Sequence, residues 1–389
     1  MMPTPPTTGL RRITLTAVLT LCATVNGVTL IWMLARQPHI NADFLGFWAY
    51  PRFSPLLEIY NPDAMMRFQQ ALYPGFKSFF PFTYPPDFLL ATPWLRDLSY
   101  NAAKTVWTLA GLAAFTAAGL RFFKGRTVPV LALLASPAAL LTLVLGQTSF
   151  FAGALLLGGV ALLRERPVLA GIAFGLLTLK PQMGLLVPLL LLARCEWRTI
   201  AAAVLTAGAV VMLSCALLPP ELWRLWAQSL PQIQSDYFNG GANLNVMITP
   251  AANLRHLGAS PALAIAVQTI CGLGAAGAVV IAARRTEYGL AVAVLLAATL
   301  LAQPHAYAYD AVILPAALAL GWRANCPAWL KTLGGLVYLA PLAMLSPLAP
   351  WCLYAPPLAL LLAGLTALAL RTPRGANSAH DPVPLHTAA

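Results

Sequence analysis

The chain has 389 residues and a formal net charge of +12, with 59% hydrophobic residues, 9% charged residues and a mean hydropathy of +0.73. Soluble domains carry roughly 25% charged residues, so this composition excludes an ordinary soluble enzyme. The basic excess would suggest nucleic acid in a soluble chain, but here retention of Lys and Arg on the cytoplasmic side of a membrane explains it, and no nucleic-acid partner is expected.

The first apolar run, residues 13–35, follows Arg11 and Arg12, which hold the N-terminus in the cytoplasm. It is too long for the apolar core of a signal peptide and reads as the first transmembrane helix. Residues 36–101 form a long outer loop rich in aromatics and prolines. Within it, residues 62–73 (PDAMMRFQQALY) have the spacing of a helix lying on the membrane surface, and residues 88–94 form a second short piece of that kind. Apolar segments then run over 102–123, 128–145, 150–163, 168–179, 183–193 and 200–218. A second long outer loop, 219–260, carries Trp223, Trp226, Tyr237 and Asn243. The remaining segments are 261–283, 288–302, 306–320, 329–345 and 353–370.

Basic residues mark the inner ends: Arg121, Lys124 and Arg126; Arg164 and Arg166; Arg194 and Arg198; Arg284 and Arg285; Arg323; Arg371 and Arg374. The expected fold is an all-α polytopic bundle of about twelve transmembrane helices, with two long outer loops carrying short amphipathic helices. Several segments fall short of about 20 residues, so they must tilt, thin the bilayer or share its depth with loops. Residues 1–371 are expected to form one transmembrane domain, followed by a short disordered cytoplasmic tail, 372–389. Six cysteines, with no CxxC spacing, give neither a metal site nor a disulfide framework, and no cofactor is expected.

Asp43 stands just after the first segment, where an acid at a membrane boundary needs an explanation. On this topology Asp43, Gln147, Lys180 and His305 all lie at the outer ends of helices. Rare polar side chains at one depth of an apolar bundle are what a membrane active site requires. Sugar transfer from a lipid phosphate fits this set. Its phosphate leaving group needs no general acid but does need positive charge or donors, which Lys180 and His305 would supply. The acceptor hydroxyl needs one carboxylate to take its proton, and Asp43 is the candidate base. Gln147, Arg52 and Tyr84 are expected as further substrate contacts. Each has a plainer reading: Asp43 as a helix cap, Lys180 as a snorkelling side chain, Gln147 as satisfying broken-helix backbone, His305 as a hydrogen-bonded interfacial histidine. Asp310 points into the tenth segment and is read as structural. Asp87 is read as a solvated or capping residue and as the substitute base should Asp43 fail. The loop aromatics Phe47, Trp48, Tyr50, Trp223, Trp226 and Tyr237 are read as interface anchors.

Five stretches together resemble glycosyltransferase family 87, polytopic enzymes of the GT-C type. They are NADFLGFWAYPRF (41–53), TYPPDFLLATPW (83–94), LGQTSFFAGALLL (145–157), AGIAFGLLTLKPQMGLL (170–186) and QPHAYAYDAVILPAAL (303–318). The resemblance covers roughly residues 13–320. It implies a GT-C fold, a polyprenyl-phosphate sugar donor with mannose favoured, inversion at the anomeric carbon, and a first-loop Asp as base, which maps to Asp43. It implies no nucleotide-sugar site, and no DxD motif is present to hold one through a metal. The family pattern would place a Trp before His305, where Pro304 stands. A lipid or glycan acceptor and an outward-facing site in the cytoplasmic membrane follow from the same resemblance and topology. The rival classes are a transporter or lipid-linked glycan flippase, which would place ionisable residues near the midplane in two related halves, and a ligase or polymerase using diphosphate-linked glycans, which Arg52, Arg67, Arg224 and Arg255 keep open.

Overall fold

A computed structural model describes residues 7–35, 42–74, 80–238, 244–324, 326–344 and 353–372. Asn41, Asn243, Cys352 and the tail beyond Thr372 lie outside the described residues. The described residues are 81% helical and form no strand, only isolated bridge positions such as that between Met247 and Tyr307.

The helices are, in order, α1 (Thr7–Ala35), α2 (Ala42–Ala49), α3 (Pro62–Leu72), α4 (Tyr100–Phe122), α5 (Thr127–Leu134), α6 (Pro137–Leu145), α7 (Ser149–Leu162) and α8 (Pro167–Gly175). They continue with α9 (Pro181–Gly184), α10 (Val187–Ala193), α11 (Trp197–Leu217), α12 (Glu221–Phe238), α13 (Pro250–His256), α14 (Pro261–Arg285) and α15 (Tyr288–Ala302). The last three are α16 (Leu314–Gly321), α17 (Ala328–Met344) and α18 (Ala355–Arg371). Short 3-10 turns at Pro86–Ala91, Pro93–Asp97, Leu176–Leu179 and Ala308–Ile313 join several of them.

Every apolar segment expected from the sequence is present as helix, but several are broken. Among the described residues three helices, α4, α11 and α14, are long and apolar enough to cross a membrane alone. The segment expected at 128–145 is a bent pair, α5 and α6, turned by 51° at the Ser136-Pro137 step. Proline lacks the N–H that would continue the helix, and Ser136 instead caps α6 by accepting the Ala139 N–H at 3.1 Å. Apart from α1, which runs for 29 residues, the other segments run for 13 to 17 residues, roughly 20–25 Å at 1.5 Å per residue, short of a core of about 30 Å. Length alone therefore does not bear out a count of twelve spans.

The helices pack around one large apolar core in which α15 is buried on all sides. Close approach is bought by glycine. In α8, Gly171 and Gly175 are spaced i, i+4; a Cβ on Gly171 would stand 2.5 Å from the Ala202 Cβ, and one on Gly175 would stand 2.6 Å from the Thr206 Cβ. The backbones of α8 and α11 are thus nearly in contact, the small-residue packing typical of helices in lipid. The outer side of α11 carries Val204, Leu205, Met212 and Leu217, all strongly exposed, as lipid-facing positions are.

The first loop forms a second core of its own. Phe44, Leu45, Phe47, Tyr50, Phe53, Met65, Phe82, Phe88 and Leu95 close over the start of α4 through Tyr100 and Trp107. This corrects two expectations. α3 does not lie on a membrane surface with its apolar side down: Met65 and Gln69 are fully buried against α2 and the loop, and the Gln69 amide bonds both the N–H and the carbonyl of Phe80. Phe47 and Tyr50 are not interface anchors, since each is fully buried within a ring cluster. Trp48, Trp223 and Trp226 are half-buried and tie elements together, their indole N–H groups donating to the Leu98 carbonyl, Ser214 Oγ and the Thr83 carbonyl. Large rings supply 150–250 Å² of buried area each, enough to give a loop its own core.

At the far end of the bundle the basic residues gather. Arg121 pairs with Glu165, Arg164 and Arg194 both stand over the Tyr288 ring at 4.9 and 5.3 Å, and Thr286 bonds the Thr372 carbonyl. The aromatic cap and the basic rim therefore occupy opposite ends.

Candidate active site

At the cap end four chain breaks meet: the start of α2, the turn between α6 and α7, the break before α9, and the segment between α15 and α16. Each exposes backbone and polar side chains that an unbroken helix would hide.

The turn between α6 and α7 is set by Gly146, whose φ of +67° closes α6 in the left-handed conformation. The Trp107 indole donates to the Gly146 carbonyl at 3.0 Å. Phe44 presses onto the same glycine so closely that a Cβ there would lie 2.9 Å from the Phe44 Cβ. Phe44 follows Asp43, so this contact sets the start of α2 against the turn. Across it, Gln147 Nε2 donates to Asp43 Oδ2 at 2.6 Å. The next residue, Thr148, shares a hydrogen bond of 3.3 Å with the Tyr84 hydroxyl. Asp43, Gln147 and Tyr84, drawn from three distant parts of the chain, thus form one connected set.

Asp43 is half-buried, and burial pushes its pKa up to about 6; the Gln147 hydrogen bond and the charge of Lys180 hold it from going higher. Such a carboxylate is ionised at neutral pH yet far more basic than an ordinary Asp.

Lys180 is at the site but is not a free cation. Buried at the break before α9, it forms an ion pair with Asp310 and donates to Ser149 Oγ at 3.0 Å, while Ser149 donates to Asp310 Oδ1 at 2.7 Å. Asp310 Oδ2 also accepts the Tyr307 N–H at 3.2 Å. The cluster is fully bonded and carries no net charge, as burial requires. Asp310, read as structural, is a fully buried member of it.

His305 lies on the segment between α15 and the Ala308–Ile313 turn, half-buried, and burial lowers its pKa to about 4. Burial thus favours the uncharged imidazole at neutral pH, which suits a hydrogen-bond donor rather than a cation. The second long loop is fastened beside it, the Ile248 N–H donating to the Ala306 carbonyl at 2.9 Å.

Arg52 does not reach the site. Its guanidinium donates to the carbonyls of Trp48, Leu95, Arg96 and Leu98 and stacks at 3.8 Å on the Trp48 ring. Its donors hold the first loop together. Asp87 is not a solvated cap either. It is fully buried in the Pro86–Ala91 turn, and burial pushes its pKa up against the opposing effect of Thr178 and the turn's own backbone N–H groups. Thr178 faces it from the turn before Lys180.

Sequence reasoning missed Ser149 and Tyr309. Tyr309 stacks on Tyr307 with ring centroids 5.2 Å apart, and the Lys180 ammonium stands 5.2 Å from its ring centre. The run AYAYD (306–310), two tyrosines at alternate positions before an acid, was the available signal.

A helical membrane protein with a half-buried carboxylate whose pKa burial raises to about 6 has a group suited to proton transfer. The model of glycosyltransferase family 87 matches residues 82–304, more than half of the chain, and the chain belongs to that family. It is a membrane glycosyltransferase. No curated protein and no solved structure matches it. Membership in an enzyme family removes the transporter and flippase reading.

Proposed function

We propose that this protein transfers a hexose, mannose by preference, from a polyprenyl-phosphate donor to a lipid or glycan hydroxyl at the outer face of the cytoplasmic membrane. The reading rests on family membership for the reaction type and on the state of Asp43 for the mechanism. A carboxylate with a pKa near 6, oriented by Gln147, is matched to taking a proton from a sugar or lipid hydroxyl at neutral pH. The acceptor oxygen attacks the anomeric carbon as Asp43 takes its proton, and the bond to the phosphate breaks on the opposite face, inverting the configuration. The phosphate leaves as a stable anion, so a second carboxylic acid is not required. Tyr84 and the neutral His305 serve as donors to the sugar or the phosphate, and the Lys180–Asp310–Ser149 cluster anchors the walls around them. The basic rim at the opposite end supports the sidedness, because cytoplasmic loops retain Lys and Arg.

The test incubates membranes holding the protein with polyprenyl-phosphate mannose labelled in the sugar. The reading expects labelled product of inverted anomeric configuration, with polyprenyl phosphate released in equal amount. Product of retained configuration, or no transfer from any polyprenyl-phosphate sugar, would contradict it.

A further inference from the structure

The cations expected to receive the departing phosphate are otherwise engaged: Lys180 is paired with Asp310, Arg52 is bonded to four carbonyls, and His305 is neutral. The new negative charge still needs a donor aimed at it. We propose that the Tyr309 hydroxyl is that donor, gripping the phosphate of the lipid donor, which makes Tyr309 a catalytic residue beside Asp43. The inference rests on the proposed lipid-phosphate chemistry and deepens it.

Tyr309 stands in the first turn after the break, in the Ala308–Ile313 segment. Its ring is fixed by the stack on Tyr307, nearly parallel at 16°, and by the Lys180 ammonium over the ring. A phenol held this way needs no reordering when the substrate arrives. The ring stands against Tyr307 and the Lys180 ammonium, and the charges of Asp43 and Asp310 act on its hydroxyl. Among the described residues it makes no hydrogen bond to a protein group, whereas the Tyr50, Tyr60, Tyr288 and Tyr338 hydroxyls each bond a backbone carbonyl. A donor this deep with its hydrogen unused at home is available to a ligand.

Two neutralisations limit the repulsion a departing phosphate would meet from the nearby carboxylates. Asp310 is neutralised by Lys180 and Ser149, and Asp43 becomes neutral as it takes the acceptor's proton. During the step the acceptor O–C1 bond forms, the C1–O bond to phosphate breaks, and the phosphate keeps the electron pair. Tyr309 donates a hydrogen bond to a phosphate oxygen throughout and loses no proton. The proton released by the acceptor ends on Asp43, so the step balances without another reactant.

The test compares wild type with Tyr309→Phe, which keeps the ring, the stack and the contact with Lys180 and removes one hydroxyl. Binding of a short-chain polyprenyl phosphate and of the matching phosphate-free polyprenol is measured on the purified full chain, with sugar transfer assayed alongside. A hydrogen bond to a charged group is worth about ten- to a hundredfold. The phosphate lipid should therefore bind Tyr309→Phe that much more weakly while the polyprenol binds both proteins alike, with the thermal midpoint unchanged. Equal phosphate-lipid affinity for the two proteins, while wild type transfers sugar, would overturn the role of Tyr309 and leave the proposed function standing. Wild type that neither prefers the phosphate lipid over the polyprenol nor transfers from it would overturn both.

Discussion

Lys180 was readable as a rare cation at the right depth, but its use was not. Its partner Asp310 lies 130 residues away, and nothing in helical spacing announces a pairing across helices. A buried ion pair stripped of one partner leaves an uncompensated charge, which costs about 3–5 kcal/mol. Lys180→Met should therefore lower the thermal midpoint sharply in detergent, and Lys180→Met/Asp310→Leu should recover a good part of the loss. A double variant that melts no higher than the single one would contradict the pairing. Arg52 teaches a similar lesson. An arginine in an outer loop looks like a phosphate ligand until its donors are found on four carbonyls. Asp43 and Gln147 were placed at one face by topology alone, because both follow the ends of apolar runs. Their direct hydrogen bond was beyond that reasoning.

At the scale of elements, the apolar segments were legible almost residue by residue, since α15 occupies the expected 288–302 and α4 lies within two residues of 102–123. The breaks were less legible, although each carries a proline or a glycine: Pro137 between α5 and α6, Gly146 between α6 and α7, Pro181 after Lys180. Those breaks build the site. Gly146→Ala should strain a left-handed position and push on Phe44, at a cost of about 1–2 kcal/mol from the backbone alone. Because Phe44 carries Asp43 with it, transfer should fall more than stability does. Retained full activity would show that the Gly146 turn does not set the base. The α8–α11 contact gives a purely structural counterpart. Gly171→Ala should destabilise by about 1–3 kcal/mol through overpacking, while Gly158→Ala, with nothing within 4 Å of the new methyl, should be neutral or mildly stabilising. Equal melting of the two variants would contradict the close approach.

For the whole molecule, two ends with different chemistry are the organising feature. An aromatic-cored first loop caps one end above the site, and arginines gather at the other. Composition and basic clusters made this polarity legible from sequence. The internal core of the loop was not, because the same rings serve equally well as membrane anchors, and only the packing of Phe47 and Tyr50 decides between the two. The proposed orientation places Glu58 outside and Arg166 inside. In a background without native cysteines, a membrane-impermeant thiol reagent on intact cells should label Glu58→Cys and spare Arg166→Cys, and the reverse pattern would invert the site.

The central claim is that one carboxylate, Asp43, takes the acceptor's proton. The most direct measurement is the pH dependence of sugar transfer by wild type and by Asp43→Asn. A base with a pKa raised to about 6 is active when deprotonated, so wild-type kcat/KM should hold at neutral pH and fall about tenfold per pH unit below about 6. Gln147→Ala removes an interaction that lowers that pKa, so it should move the fall to higher pH. Asp43→Asn should lose transfer by at least about a hundredfold and show no such limb. Transfer by Asp43→Asn at the wild-type rate and with the wild-type pH profile would contradict the account.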